Sequence, residues 1–248
     1  MIDSFLDLAQ TPGITWVFAF AMLTGFARGL AGFGVGLVML PITAATLGPT
    51  VAVPVLALID LPMAMWLAKT VWHDFDRREL AVLVTAALVG IPVGIAFLLI
   101  IDPGAMKVGV SVIVLAFAIA LMLGLKLPGR PSVQRSATTG FAAGLLQGAV
   151  SLPGPPLILG WLASQVPGPR LRANTIIFFA GLMLIAVPGY GFAGLLVENT
   201  LIYAALVFPF FGGGVIAGKL AAGHVPEIQF KRVVLCLVVA GAISAMVT

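Results

Sequence analysis

GFARGLAGFGVGLVMLP, Gly25 to Pro41, places five glycines in its first twelve residues and closes on a proline, inside a run that otherwise reads as apolar helix. A second stretch, GFAAGLLQGAVSLPGPP from Gly140 to Pro156, opens the same way and ends in three prolines and a glycine, Pro153 to Pro156. Gly25-Phe26-Ala27 with Gly29-Leu30 matches Gly140-Phe141-Ala142 with Gly144-Leu145 at a spacing of 115 (140 less 25), a register that sets Arg28 opposite Ala143. Each stretch reads as a helix that stops and restarts, over Gly29 to Gly36 and over Gln147 to Pro156.

Composition fixes the solvent in which these breaks must exist. The chain of 248 residues is 61% hydrophobic and only 9% charged, with a mean hydropathy of +1.17. Soluble domains are roughly half apolar and about a quarter charged. Runs such as Leu80 to Ile101 and Ala105 to Leu125 suffice to cross a hydrocarbon core of about 30 Å, which takes about 20 helical residues. They do not alternate apolar with polar, as strands of a membrane barrel would. The fold expected is all-α, a polytopic helical membrane protein. The first ten residues carry Asp3 and Asp7 and no basic residue, so they lack the charged start of a secretory signal and the first helix is expected to be retained. The lone Cys236 reads as a buried structural thiol.

Turn signals divide the chain into a broken pair (13–31 and 34–47) followed by 49–69, 80–101 and 105–125. A linker at 126–135, KLPGRPSVQR, precedes a second broken pair (136–149 and 153–165) and then 172–195, 200–222 and 229–247. Gly90 and Gly94 match Gly214 and Gly218, and Pro103 matches Pro226, in the same order within each half. Residues 1–125 and 136–248 therefore read as two copies of one unit. Lys69, Arg77 and Arg78, the linker's Lys126, Arg130 and Arg135, then Arg170, Arg172, Lys219, Lys231 and Arg232 can all face the cytoplasm together. Both termini then lie outside, periplasmic in a bacterial-type inner membrane. A broken pair that returns to its starting side leaves three crossings per half, so the copies have inverted topology, as in secondary transporters whose site lies where discontinuous helices meet.

Irregular backbone at membrane depth must be buried in protein or line a watery cavity, because unpaired amides are costly in lipid. The start of a half-helix presents free N–H groups and partial positive charge, which suit an anion. Pro153, Pro155 and Pro156 have no N–H to give, so donors in the second break fall to Gly154, Leu157, Ile158 and the Ser151 hydroxyl. The alternative is a kink that serves packing alone.

The paired segments, GFARGLAGFGVGLVMLP in the first half and one ending in GPPLIL (Gly154 to Leu159) in the second, with Pro103 and Pro226 ahead of each half's final helix, resemble the TauE/SafE family of sulfite exporters in the toluene-sulfonate uptake permease superfamily. The resemblance covers nearly the whole chain. It implies transport of small sulfur-containing anions, sulfite or organosulfonates such as sulfoacetate, coupled to an ion gradient.

Polar residues at membrane depth are functional candidates. Arg28 is expected to anchor the anion, since a guanidinium matches sulfonate oxygens bidentately; structural pairing is the alternative. Asp60, in LIDLPMAMW, is the carboxylate at membrane depth, a candidate for a proton-linked switch or for the counter-charge of Arg28. Substrate contacts are assigned to Arg28, Gly32 and Gly34 in the first break and to Gln147, Ser151, Gly154, Leu157 and Asn174 in the second, around a positively biased pocket, with coupling at Asp60. Gln147 could instead join helices, and Asn174 could be a cap. Partners expected are a small organic or inorganic sulfur anion, membrane lipid and a proton or sodium co-ion, with no nucleic acid; a homodimer stays open. His73 and His224 fall in loops, and no nucleotide loop or metal cluster appears, so no cofactor and no metal are expected. A passive anion channel competes with the transporter reading. A membrane phosphatase of lipid diphosphates is disfavoured, because no Glu lies in the membrane and no basic or nucleophilic cluster follows the prolines.

Overall fold

The computed structural model describes residues 13–32, 35–102, 132–157 and 168–222, with isolated positions between 104 and 123. Gly34, Pro103, Trp161, His224, Pro226, Cys236, most of the linker and the segment expected at 229–247 lie outside the described residues. Among the described residues the helices are α1 (Ile14–Ala31), α2 (Val35–Leu47), α3 (Pro49–Lys69), α4 (Arg77–Ile100), α5 (Val133–Val150), α6 (Gly168–Phe192) and α7 (Glu198–Ala221). No strand occurs among the described residues. The spans Pro49–Lys69, Arg77–Ile100, Pro169–Phe192 and Glu198–Ala221 are long and apolar enough to cross a membrane, as expected of a polytopic helical protein.

Local chemistry sets the boundaries. Pro49 opens α3 at the position where a missing N–H costs nothing. Asp76 caps α4 by accepting from the N–H groups of Arg78 (3.0 Å) and Glu79 (3.1 Å), which starts the helix three residues ahead of the apolar run. Ser132 does the same for α5, accepting from Arg135 N–H at 3.2 Å.

Both breaks turn through the left-handed region. Gly32 ends α1 at φ 81° with its N–H on the Arg28 carbonyl at 2.8 Å. Ser151 ends α5 at φ 50°, with its N–H on Gln147 O (3.0 Å), the αL cap that usually takes glycine, and Leu152 N–H on Leu146 O (3.1 Å). Gly13 at the start of α1 lies against Thr46 near the end of α2, so the first pair doubles back. With 13 residues, α2 is about 20 Å long at 1.5 Å per residue, short of the roughly 30 Å core.

Glycine faces hold the bundle together. A β-carbon on Gly29 would strike Val215 O and Lys219 N; on Gly148, it would strike Ile91 O and Ile95 N. Gly25 meets Phe211 O as Gly144 meets the Ala87 backbone, and Gly214 meets Met22 O and Phe26 N as Gly90 meets Phe141 O and Leu145 N. At such contacts backbones approach closely enough for Cα–H to face carbonyl oxygen. Partner numbers rise together, so α1 runs parallel to α7 and α4 to α5. Gly212 on Met63 with Lys219 over Trp66, and Gly181 on Val84 with Gly189 on Ile95, likewise make α3 parallel to α7 and α4 to α6. Joined to α3 by the short turn at 70–76, α4 runs the other way, and α5 is therefore antiparallel to α1.

These contacts correct the register of the first helices. α1 and α5 each have 18 residues and begin 119 apart (133 less 14), and the breaks at Gly32 and Ser151 keep that spacing. By packing, Gly25 corresponds to Gly144 and Gly29 to Gly148, one turn beyond the spacing of 115, while Gly90 and Gly94 correspond to Gly214 and Gly218. The slip has a simple cause: Gly140, Gly144 and Gly148 form a ladder at every fourth residue, so the glycines fit either register, and the matches of Phe26, Ala27 and Leu30 with Phe141, Ala142 and Leu145 favour the spacing of 115 on identity alone.

Candidate functional site

The two breaks touch. A β-carbon on Gly36, in the first turn of α2, would fall on the Ser151 carbonyl. Beside this contact lies a small cavity of about 20 Å³, room for a water or two as it stands. Its polar lining among the described residues comes from Arg28, Asp60, Gln147 and Ser151; Gly154, Phe179 and Met183 also line it.

Arg28 is fully buried at 0% exposure. Its Nε donates to Asp60 Oδ1 at 2.9 Å and Nη2 to Oδ2 at 3.2 Å, while Nη1 donates to the Gly32 carbonyl. The Phe179 ring lies 5.0 Å from the guanidinium carbon, a cation–π distance. Fork-to-fork pairing and the carbonyl at the end of its own helix compensate a charge that could not otherwise remain in the membrane. Of five guanidinium N–H groups, three are engaged. The lining thus carries one cation and one anion, where a positive surplus was expected, and Arg28 and Asp60 appear as an ion pair.

On the second side Gln147, also at 0% exposure, donates from Nε2 to Ser151 Oγ at 3.2 Å, and Ser151 Oγ donates to the Val53 carbonyl at 3.3 Å. Tyr190 Oη donates to the main-chain oxygens of Gln147 (2.6 Å) and Gly148 (3.2 Å). Arg172 Nη2 serves Gly29 O at 3.0 Å in the same way. Both helices thus have a last-turn carbonyl met by a side chain from α6.

The register from packing brings Arg28 and Gln147 to corresponding places, not Arg28 and Ala143. Their neighbours correspond as well: Arg28 meets Asp60 on α3, and Gln147 Nε2 lies 4.0 Å from Met183 Sδ on α6. Gly32 packs on Ile176 as Ser151 packs on Val53, the same spacing of 123 (176 less 53, 183 less 60).

Of the residues assigned from sequence, Arg28, Asp60, Gln147, Ser151 and Gly154 line the cavity together. Gly32 contributes its carbonyl to Arg28. Leu157 is buried one turn into the helix after the break and is not among the described lining. Asn174 stands elsewhere: its Oδ1 accepts the Asp76 N–H at 2.8 Å, tying the start of α6 to the cap of α4. Sequence reasoning missed Phe179, Met183 and Tyr190. Only Tyr190 carried a signal, a hydroxyl deep in an apolar run.

A buried charged pair at the meeting of two interrupted helices defines a multi-pass membrane protein with a polar site held inside its bundle. The family model for the sulfite exporter TauE/SafE matches residues 17–245, and the chain belongs to that family of membrane transporters. No curated protein and no solved structure matches it.

Proposed function

We propose that the protein carries a small sulfur-containing anion, sulfite or an organosulfonate, across a bacterial-type inner membrane by alternating access, with the anion held between the two breaks. The observation that carries this reading is the Arg28–Asp60 pair lining the cavity. Residues 1–125 and 136–248 act as inverted copies joined by a cytoplasmic linker at 126–135, with both termini on the outer side. Antiparallel α1 and α5 and the recurring glycine contacts support that arrangement.

Coupling follows from charge. Arg28 is neutralised by Asp60, so an anion entering the cavity competes with a carboxylate for the same guanidinium. A proton on Asp60 removes the competitor and leaves Arg28 to bind sulfonate or sulfite oxygens through its fork. Proton and anion then load together, and neither the empty nor the loaded site holds an unbalanced charge in low dielectric.

Uptake of labelled sulfite into proteoliposomes tests this. Saturable flux with counterflow, driven uphill by a proton gradient, is expected for the native chain. Asp60→Asn is expected to keep counterflow and lose at least tenfold of the gradient-driven uptake. Flux that rises linearly with concentration and shows no counterflow would make the protein a channel, and unchanged gradient dependence in Asp60→Asn would remove that residue from coupling.

A further inference from the structure

Gln147 has one group the site leaves unanswered: its side-chain Oε1 is buried and has no hydrogen-bond partner. The orientation of the amide follows from the direction of its neighbours. The Ser151 hydroxyl gives its proton to the Val53 carbonyl, so its oxygen must accept, and the group that can donate to it is the amide nitrogen. Tyr190 pins the main chain of the same residue. The carbonyl end is then left over beside a cavity whose other polar lining is the Arg28–Asp60 pair and Ser151. Both Asp60 oxygens are directed at Arg28, and Asp60 makes no hydrogen bond to Gln147 Oε1.

We infer that Gln147 selects the ligand by requiring a hydrogen-bond donor on it: the preferred anion presents charged oxygens to Arg28 and an O–H or N–H to Gln147 Oε1. That class includes hydrogensulfite and sulfonates with a hydroxyl or ammonium group close to sulfur. Sulfate and plain alkanesulfonates, which carry acceptors alone, fall outside it. A site that holds a buried acceptor disfavours an analogue lacking the matching donor, because binding that analogue seals the oxygen away from water unpaired. The inference rests on the reading of this cavity as the anion site and adds the chemistry of its second wall.

The test uses two anions of nearly the same shape, hydroxymethanesulfonate and ethanesulfonate, which differ by a hydroxyl in place of a methyl. Binding of each to the purified full-length protein is measured by calorimetry, with sulfite as the reference ligand. The native chain is expected to bind hydroxymethanesulfonate about tenfold or more tightly than ethanesulfonate. In Gln147→Met, which gives this position the side chain its neighbour Met183 already has, the preference is expected to fall to less than about threefold while ethanesulfonate affinity holds or rises. Equal affinities in the native chain would overturn the inference while leaving the anion site in place, and that comparison needs no variant to fold. A preference that survives in Gln147→Met would overturn it as well. If sulfite and both sulfonates all fail to bind, the anion-site reading itself falls, and this inference with it.

Discussion

Two corresponding corners of one cavity are built on the same plan and filled with opposite chemistry. In one, α1 ends at a glycine and its last-turn Arg28 meets Asp60; in the other, α5 ends at a serine and its last-turn Gln147 lies by Met183. The backbone is shared down to the left-handed residue at each break, while charge is confined to the first corner. The two corners therefore share their backbone geometry, and their electrostatics differ through a handful of side chains. In the proposed function the first corner exchanges a proton and a charge, and in the further inference the second reads the neutral part of a ligand.

The largest expected effect comes from making the first corner resemble the second one residue at a time. Asp60→Met leaves Arg28 buried without its counter-charge and is expected to cost about 3–5 kcal/mol of stability. The double replacement Arg28→Gln with Asp60→Met removes both charges and restores most of that loss, with anion binding abolished. Thermal melting of the detergent-solubilised proteins checks the stability half, and sulfite calorimetry checks the binding half. A double variant as unstable as the single one would mean that the two corners do not share a geometry.

The glycine faces offer the next test, since the correspondence of the corners depends on them. Gly29→Val and Gly148→Val each drive a side chain into backbone atoms of α7 or α4 that cannot rotate away, and each is expected to cost at least about 1–3 kcal/mol. Gly213, which has open space where a β-carbon would go, should accept alanine with no measurable loss in the same melting assay.

How much of this could be read beforehand depends on which signal carried it. Among the described residues helix bounds were legible to within a few residues, because long apolar runs and their caps are local properties; Asp76 and Ser132 account for the starts of α4 and α5 that came early. Arg28 and Asp60 stood out because charge at membrane depth needs a partner, and their pairing was among the alternatives. The register of the copies was not legible. Gly140, Gly144 and Gly148 recur every fourth residue and the Phe, Ala and Leu between them favour the spacing of 115, so identity matched one turn out, and only the packing of Gly29 and Gly148 on equivalent backbone atoms resolves the slip. That turn hid the counterpart of Arg28. Phe179 and Met183 were invisible for another reason: in a chain this apolar, a further Phe or Met carries no mark of the cavity it faces.

The breaks themselves should respond unequally. Gly32→Ala puts a β-carbon on a left-handed residue and against the Ile176 side chain, at a cost of about 1–2 kcal/mol. Ser151→Gly relaxes the same strain in the second corner but removes the hydroxyl that links Gln147 to Val53, so its net effect on melting is expected to be smaller. Equal losses would show that the strain at Ser151 is compensated elsewhere.

A small effect, though above that at Gly213, is expected at a residue that lacks a counterpart altogether. Asn174 lies near the start of α6, and the spacing of 123 that relates Val53 to Ile176 and Asp60 to Met183 places Val51 at the matching point of α3. Its amide oxygen serves the Asp76 N–H at the head of α4, so it fastens one turn to one helix and takes no part in the cavity lining. Asn174→Ala should therefore lower stability by about 1 kcal/mol through the lost hydrogen bond and leave the affinities for sulfite and hydroxymethanesulfonate unchanged. A several-fold loss of anion affinity without a change in melting would return Asn174 to the binding site.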